Sequence, residues 1–489
     1  MDSRLARSVP WLCGALALAL YASTPLRVHF SDGVWLADRV EKGAVPYYNV
    51  LYVPLAHASY RALHALLGWD AHRSLIGFSA LSTAAAVVVL ARSLQRYRLA
   101  PAVRAGLALL FAATPSVWFF ATVGEVHALQ LLAVTAATAL ALRARDAPPA
   151  AAVALTSGGI VAMVAAHLTT VLLAPALIVL ARGDQPGRGL RWRGPGAAAA
   201  RRTALAAALV AALAWMLARW SAGRFAPGPL FAFIVQAFRG RLAEGVWFGP
   251  AEVAGFLQAE LVAPAFGILL LAAGGLFLGR SRRLLVPALV ALAPYVLFLP
   301  QGGIREAGAY YLSLLPLLVH VIAAAAEDLA QRGAPRPAVL GALAAALLAQ
   351  LPVGVARRAE HARSGDAVEW ASRAQAVAPG RCVFVVSALP RQHAIAFSGS
   401  GNKGDDYRRR FELTPASAQG ALIQELLATL GRDLWSGWRV LIDSELFLGE
   451  DRPAAFLRFE ERLRALPVRL VPVPPDGDPP LLLEVFLTP

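Results

Sequence analysis

Two carboxylates, Asp32 and Asp38, stand six residues apart in Phe30-Ser31-Asp32-Gly33-Val34-Trp35-Leu36-Ala37-Asp38, just beyond the first hydrophobic run. Acids at the rim of a membrane span neither anchor nor pack a lipid-facing helix. Ionisable groups placed there are costly and mark function. A carboxylate near hydrocarbon has a raised pKa and can take a proton from an attacking hydroxyl. Further polar residues recur at the matching ends of later spans: Glu125 and His127, then His167, then Arg305 and Glu306. Singly, each has a plain explanation, such as an acid favouring a helix N-terminus or a histidine satisfied at an interface. Together, on one side of a membrane, they imply a shared polar cavity for a lipid-linked substrate.

The elements that must position these residues are apolar runs long enough to cross a bilayer. They fall at 9–26, 74–91, 103–121, 125–142, 150–166, 168–181, 203–220, 256–279, 284–300, 309–326 and 338–356, about eleven spans in all. The 150–181 stretch is too long for one helix and divides near His167-Leu168-Thr169-Thr170. Alternate connections carry the arginines: Arg92/Arg96/Arg98/Arg104, Arg143/Arg145, Arg182–Arg202, Arg280/Arg282/Arg283 and Arg332/Arg336. By the positive-inside rule these are cytoplasmic, the N-terminus included, and an odd number of spans puts the chain after 357 outside.

Composition agrees. The 489 residues are 57% hydrophobic and 16% charged, the balance of a polytopic membrane protein. The net charge of +15 sits in the short connections, as topology requires, and does not form a nucleic-acid footprint. The basic N-terminus followed by residues 9–26 reads as a retained signal anchor. Cys13 and Cys382 lie in regions too different to pair, and no Cys/His cluster suggests a structural metal. A carboxylate pair could hold a divalent cation, though the spacing here is not a metal motif. No cofactor is otherwise required.

The chain therefore divides into a transmembrane domain, 1–356, with outer loops 27–73 and 221–255, and a soluble domain, 357–489. In the first loop Val50–Leu67 reads as helices lying at the interface. The second carries Arg224, Arg239, Arg241, Glu244, Trp247 and Phe248, a mix suited to lipid head groups. In the tail, Cys382–Ser387, Val440–Asp443 and Leu481–Phe486 read as strands. Ser417–Leu430 and Ala454–Leu466 read as amphipathic helices, giving a small α/β domain. Gly399–Asp406 reads as a polar flexible loop, because Gly404 follows Lys403 where a P-loop needs Ser or Thr. Pro474–Pro480 reads as a rigid turn.

Three stretches resemble a family. Phe30-Ser31-Asp32-Gly33, Trp118-Phe119-Phe120-Ala121-Thr122-Val123-Gly124-Glu125-Val126-His127-Ala128-Leu129 and Ala166-His167-Leu168-Thr169 are similar to segments of protein O-mannosyltransferase-like membrane glycosyltransferases, of the GT-C class. Arg305–Pro316, with Tyr310, is a looser echo. His127 stands where a tyrosine is common, and Gly33 and Val34 stand where a second acid often follows the first. The resemblance implies a GT-C-like fold and transfer of a sugar, mannose among the candidates, from a polyprenyl-phosphate donor to a protein, glycan or lipid hydroxyl. It implies inversion, with Asp32 as general base and Asp38 as a helper. Glu125, His127, His167, Arg305, Glu306 and Tyr310 become substrate-binding residues, with Arg305 suited to the departing phosphate. The setting would be the extracytoplasmic face of a bacterial inner membrane. Two other classes stand beside it: a membrane transporter or flippase of lipid-linked glycans, with which the span count is compatible, and a non-catalytic scaffold whose outer domain binds a partner.

Overall fold

Proline opens helix after helix in this chain. Pro101, Pro115, Pro149 and Pro250 each occupy a first helical position, where the missing amide costs nothing and the fixed φ suits the helix. The computed structural model describes residues 3–44, 50–182, 248–278, 284–297, 299–302, 306–363, 366–387, 416–448, 454–473 and 481–487, with short pieces between 391 and 414. The expected span 203–220, most of the loop 221–255, the turn 474–480 and Arg305 lie outside the described residues.

The helices are α1 (Ser3–Ser23), α2 (Gly33–Lys42), α3 (Tyr52–Leu67), α4 (Ala71–Ser93), α5 (Pro101–Ala112), α6 (Pro115–Phe120), α7 (His127–Ala144), α8 (Pro149–Ala166) and α9 (Ala174–Arg182). After the undescribed stretch come α10 (Pro250–Leu257), α11 (Ala263–Leu278), α12 (Leu285–Leu297), α13 (Leu315–Gln331), α14 (Arg336–Arg363) and α15 (Ala367–Val377). Among the described residues six helical stretches are long and apolar enough to cross a membrane: Ala71–Arg96, His127–Ala144, Pro149–Ala166, Pro250–Phe277, Tyr310–Gln331 and Arg336–Val377. Their outward faces stay apolar, with Leu81, Leu270, Phe277 and Leu348 exposed. Such faces suit hydrocarbon rather than water. The protein is a multi-pass membrane protein.

Some expected spans differ from the observed helices for local reasons. The run 103–121 is interrupted between α5 and α6, because Pro115 cannot donate to the preceding turn. The run 168–181 begins as a 3₁₀ turn, Leu168–Leu173, after His167 leaves α8 in an extended conformation with φ −158°. The run expected at 125 becomes helical only at His127, leaving Glu125 in the loop before α7. A π turn, Gln258–Val262, joins α10 to α11. The expected boundary at 356 falls inside α14, which continues to Arg363.

The tail holds a five-stranded sheet in the order β2-β1-β3-β5-β4. The strands are β1 (Cys382–Val386), β2 (Lys403–Asp406), β3 (Arg439–Asp443), β4 (Val468–Val473) and β5 (Leu482–Leu487), with helices α16 (Gln419–Trp435) and α17 (Ala454–Arg464) between them. β1 pairs in parallel with β2 and β3, while β5 runs antiparallel to both β3 and β4. Every residue of β1 is buried, as a central parallel strand requires. Lys403–Asp406, read from sequence as part of a flexible loop, is strand β2 in register with Val383–Val386.

Candidate active site

The segment before α2 is held in an uncommon conformation. Ser31 has φ 44°, in the left-handed region that a residue with a Cβ rarely adopts. The Gly33 amide donates to the Phe30 carbonyl at 2.7 Å, and the Leu36 amide to the Asp32 carbonyl at 2.8 Å. Asp32 is thus the N-cap of α2, yet its carboxylate does not cap that helix. An N-cap aspartate ordinarily accepts from an amide two or three residues on. Asp32 has φ −83° and ψ 4° in place of the extended backbone usual at an N-cap.

The loop before α7 lies directly against this turn. The Leu26 amide donates to the Thr122 carbonyl at 2.9 Å, and a Cβ on Gly33 would stand 3.4 Å from the Gly124 carbonyl. At Gly124 a Cβ would meet that of Leu75 at 3.0 Å, so a larger residue would press on α4. The close approach brings Glu125, 2% exposed, beside Asp32. Burial, then the negative charges of Asp32 and Glu306, pushes the Glu125 carboxyl well above its usual range; the amides of Val126 and Asp32 offset part of this.

A third segment carries Glu306. The Glu306 and Gly308 amides donate to Glu260 Oε2 at 3.1 and 2.7 Å, and between them Ala307 has φ 53° and Gly308 φ 79°. Both amides point at one acceptor, the Glu260 carboxylate presented by the π turn. Glu306 then faces His127 Nε2 at 3.5 Å and accepts from Ser31 Oγ at 3.5 Å. His127 Nδ1 lies 2.7 Å from Gln130 Oε1, while Gln130 Nε2 donates to Ser313 at 2.9 Å. With Gln130 so oriented, His127 donates from Nδ1.

Two rings complete the wall. His127, His167 and Tyr310 have mutual centroid distances of 5.1, 5.9 and 6.0 Å. Burial, then His127, pushes the His167 imidazole down to about 3, with Glu306 offsetting part. The aromatic run Trp118-Phe119-Phe120 supports these groups from behind. Phe30 meets Phe119 and Phe120 edge-on at 4.9 and 6.0 Å, Phe120 meets His127 at 4.9 Å, and Trp118 Nε1 donates to Thr24 Oγ1 at 2.9 Å.

Asp32, Glu125, His127, His167, Glu306 and Tyr310 therefore come together from four chain segments. Asp38 lies further along α2, paired with Lys42 at 2.5 Å. Among the described residues no group of three His, Cys, Asp or Glu side chains is arranged to hold a metal ion. Sequence reasoning missed Ser31, Gln130, Ser313 and Glu260. Glu260, in the interior of an apolar run and 5% exposed, was the one with a usable signal. It also missed a link to the tail. His29 Nδ1 lies 3.0 Å from Asp366 Oδ2, its ring stacks on His72 at 3.8 Å, and Val34 packs with Trp370 and Ala371 of α15.

No protein-family model matches the chain, and no curated protein matches its sequence. Solved structures do. ArnT from Cupriavidus metallidurans in the apo state superposes with TM-score 0.55 at 14% identity, covering 97% of each chain. The chain has the GT-C fold. The same ArnT bound to undecaprenyl phosphate also gives TM-score 0.55, at 12% identity over 97% of each chain. The archaeal oligosaccharyltransferase AglB from Archaeoglobus fulgidus, in complex with an inhibitory peptide and a dolichol-phosphate, gives TM-score 0.55 at 14% identity, covering 90% of this chain and 70% of its own. Within the GT-C fold the sheet-bearing tail is included in the match to ArnT, which runs almost end to end.

Proposed function

We propose that this protein is a membrane glycosyltransferase. It moves a sugar, with mannose the first candidate, from a polyprenyl-phosphate donor to an acceptor hydroxyl on the extracytoplasmic side of a bacterial inner membrane. The observation that carries the reading is the convergence of Asp32 with Glu125, Glu306, His127 and Tyr310 at the ends of apolar helices. Structures sharing this fold hold undecaprenyl phosphate or dolichol-phosphate, which supports a donor of that kind.

In the proposed reaction Asp32 accepts the proton of the acceptor hydroxyl as its oxygen bonds to the anomeric carbon. The bond from that carbon to the phosphate oxygen breaks, and polyprenyl phosphate leaves with the electron pair. A single displacement inverts the anomeric centre. Glu125, kept protonated by its surroundings, donates a hydrogen bond to a sugar hydroxyl, and Tyr310 and His167 give the sugar ring a partly apolar wall. Arg305 receives the leaving phosphate. Asp38 serves the acceptor side.

The test presents radiolabelled polyprenyl-phosphate sugars to membranes holding the wild type or Asp32→Asn. Transfer of one sugar by the wild type, lost in the variant at equal membrane abundance, is the expected result. Equal transfer by the variant would remove Asp32 as base. Transfer from none of the donors would remove the reading.

A further inference from the structure

The end of α13 away from Tyr310 holds a second feature. The helical stretch Tyr310–Gln331 has 22 residues. At ~1.5 Å per residue this separates its two ends by roughly the thickness of a bilayer's hydrocarbon core. At the far end, α13 and the starts of α5 and α14 enclose a cavity of about 280 Å³. Leu99, Val103 and Val339 give it apolar walls, and Arg98, Arg336 and Glu327 line it with charge.

The arginines around it divide into two kinds. Arg96 is paired with Asp146 at 2.7 Å, and Arg332 with Asp328. Arg98 and Arg336 line the cavity, and among the described residues neither guanidinium has an ion-pair partner. Glu327 Oε1 accepts the Arg98 backbone amide at 2.6 Å, which fixes the loop and keeps the carboxylate in the cavity wall. The cavity thus offers two cations with planar, bidentate donors, one anion and an apolar floor, at the level where lipid head groups lie.

We propose that this cavity binds the headgroup of an aminophospholipid, its phosphodiester on Arg98 and Arg336 and its primary ammonium on Glu327. Two guanidiniums alone would suit any phospholipid phosphate. The carboxylate beside them attracts a cation and accepts N–H donors, which selects an ethanolamine headgroup over uncharged glycerol and over choline, whose quaternary nitrogen has no N–H. The volume suits a headgroup and leaves the acyl chains to run down the outer apolar faces of the helices. The site is independent of sugar transfer, since it lies at the opposite membrane face from Asp32.

The experiment reconstitutes the full-length protein in vesicles of equal phosphatidylethanolamine, phosphatidylglycerol and phosphatidylcholine, re-extracts it gently, and identifies retained lipids by native mass spectrometry. The wild type retains phosphatidylethanolamine over phosphatidylcholine. The Arg98→Gln/Arg336→Gln double variant loses retention by about tenfold or more, the effect of removing a charge-assisted hydrogen bond. Glu327→Gln, which keeps an oxygen for the Arg98 amide, shifts retention toward phosphatidylglycerol and carries the test should the double variant fail to fold. Equal retention of the ethanolamine and choline lipids, a wild-type preference for phosphatidylglycerol, or unchanged retention in the arginine double variant overturns the proposal.

Discussion

Glu125 and Asp443 are both buried carboxylates, 2% and 1% exposed, and their surroundings are opposite. Asp443, the last residue of β3, accepts from Arg391 Nη1 at 2.5 Å, Ser387 Oγ at 2.6 Å and the Ser387 amide at 3.2 Å. Arg391 also donates to Glu445 at 2.6 Å and stacks on Trp370 at 4.9 Å. That group is a guanidinium-held knot fastening the ends of β1 and β3. The charges acting on Glu125 are instead those of Asp32 and Glu306, both negative, and the neighbouring backbone at Ser31 is strained. An acid set among other acids beside strained backbone is kept where chemistry needs it, whereas an acid held by a guanidinium serves the fold.

The sharpest way to break this contrast is at Asp32. Asp32→Asn is expected to lower sugar transfer by about 10²–10⁴-fold, the range of a lost general base, with membrane insertion unchanged. Sugar transfer measured at equal abundance decides it. On the other side, Arg391→Met leaves Asp443 buried without its cation. It should destabilise the tail by about 3–5 kcal/mol, read by denaturation followed through tryptophan fluorescence. Adding Asp443→Leu should recover most of that loss; no recovery would mean that the knot does more than neutralise.

Glu125 supplies a third test through pH. Its folded-state pKa lies above the unfolded value, so the folded protein holds the extra proton between the two. Stability from this group is therefore full below the ordinary glutamate pKa and declines as pH rises towards the folded value, by at most about 1.4 kcal/mol per pH unit. Glu125→Gln should flatten that part of the melting profile and keep transfer within a few-fold, since an amide mimics the protonated acid. An unchanged slope would place the titration elsewhere. The smallest effect is expected at Asp38. Breaking its exposed pair with Lys42 by Asp38→Asn should cost at most about 0.5 kcal/mol. A drop in transfer comparable to that of Asp32→Asn would instead give Asp38 a direct part in the reaction.

Much of the site was legible because its residues are polar exceptions in apolar surroundings. Asp32, Glu125, His127, His167 and Glu306 announce themselves by sitting at span ends. What sequence did not show is how they are held. The left-handed turns at Ser31 and Ala307 leave no composition signal, since neither is glycine. Glu260 acts on amides 46 and 48 residues away, a pairing no local pattern encodes. In the tail, β1, β3 and β5 were apparent from buried apolar runs. β2, with sequence Lys-Gly-Asp-Asp, is a strand because β1 offers it an edge, and β4 contains Pro472, which argues against a central strand. Context, more than propensity, made both of them strands.

Val34, two residues from Asp32, is packed into the same apolar cluster as Trp370, Cys382 and Phe384. The helix that presents the proposed base is thus shared property of the bundle and the sheet. An engineer who exchanges tails between proteins of this fold would, by doing so, recut the seat of α2. A working chimera must bring α2 with its own tail, or match the new tail's surface at Val34.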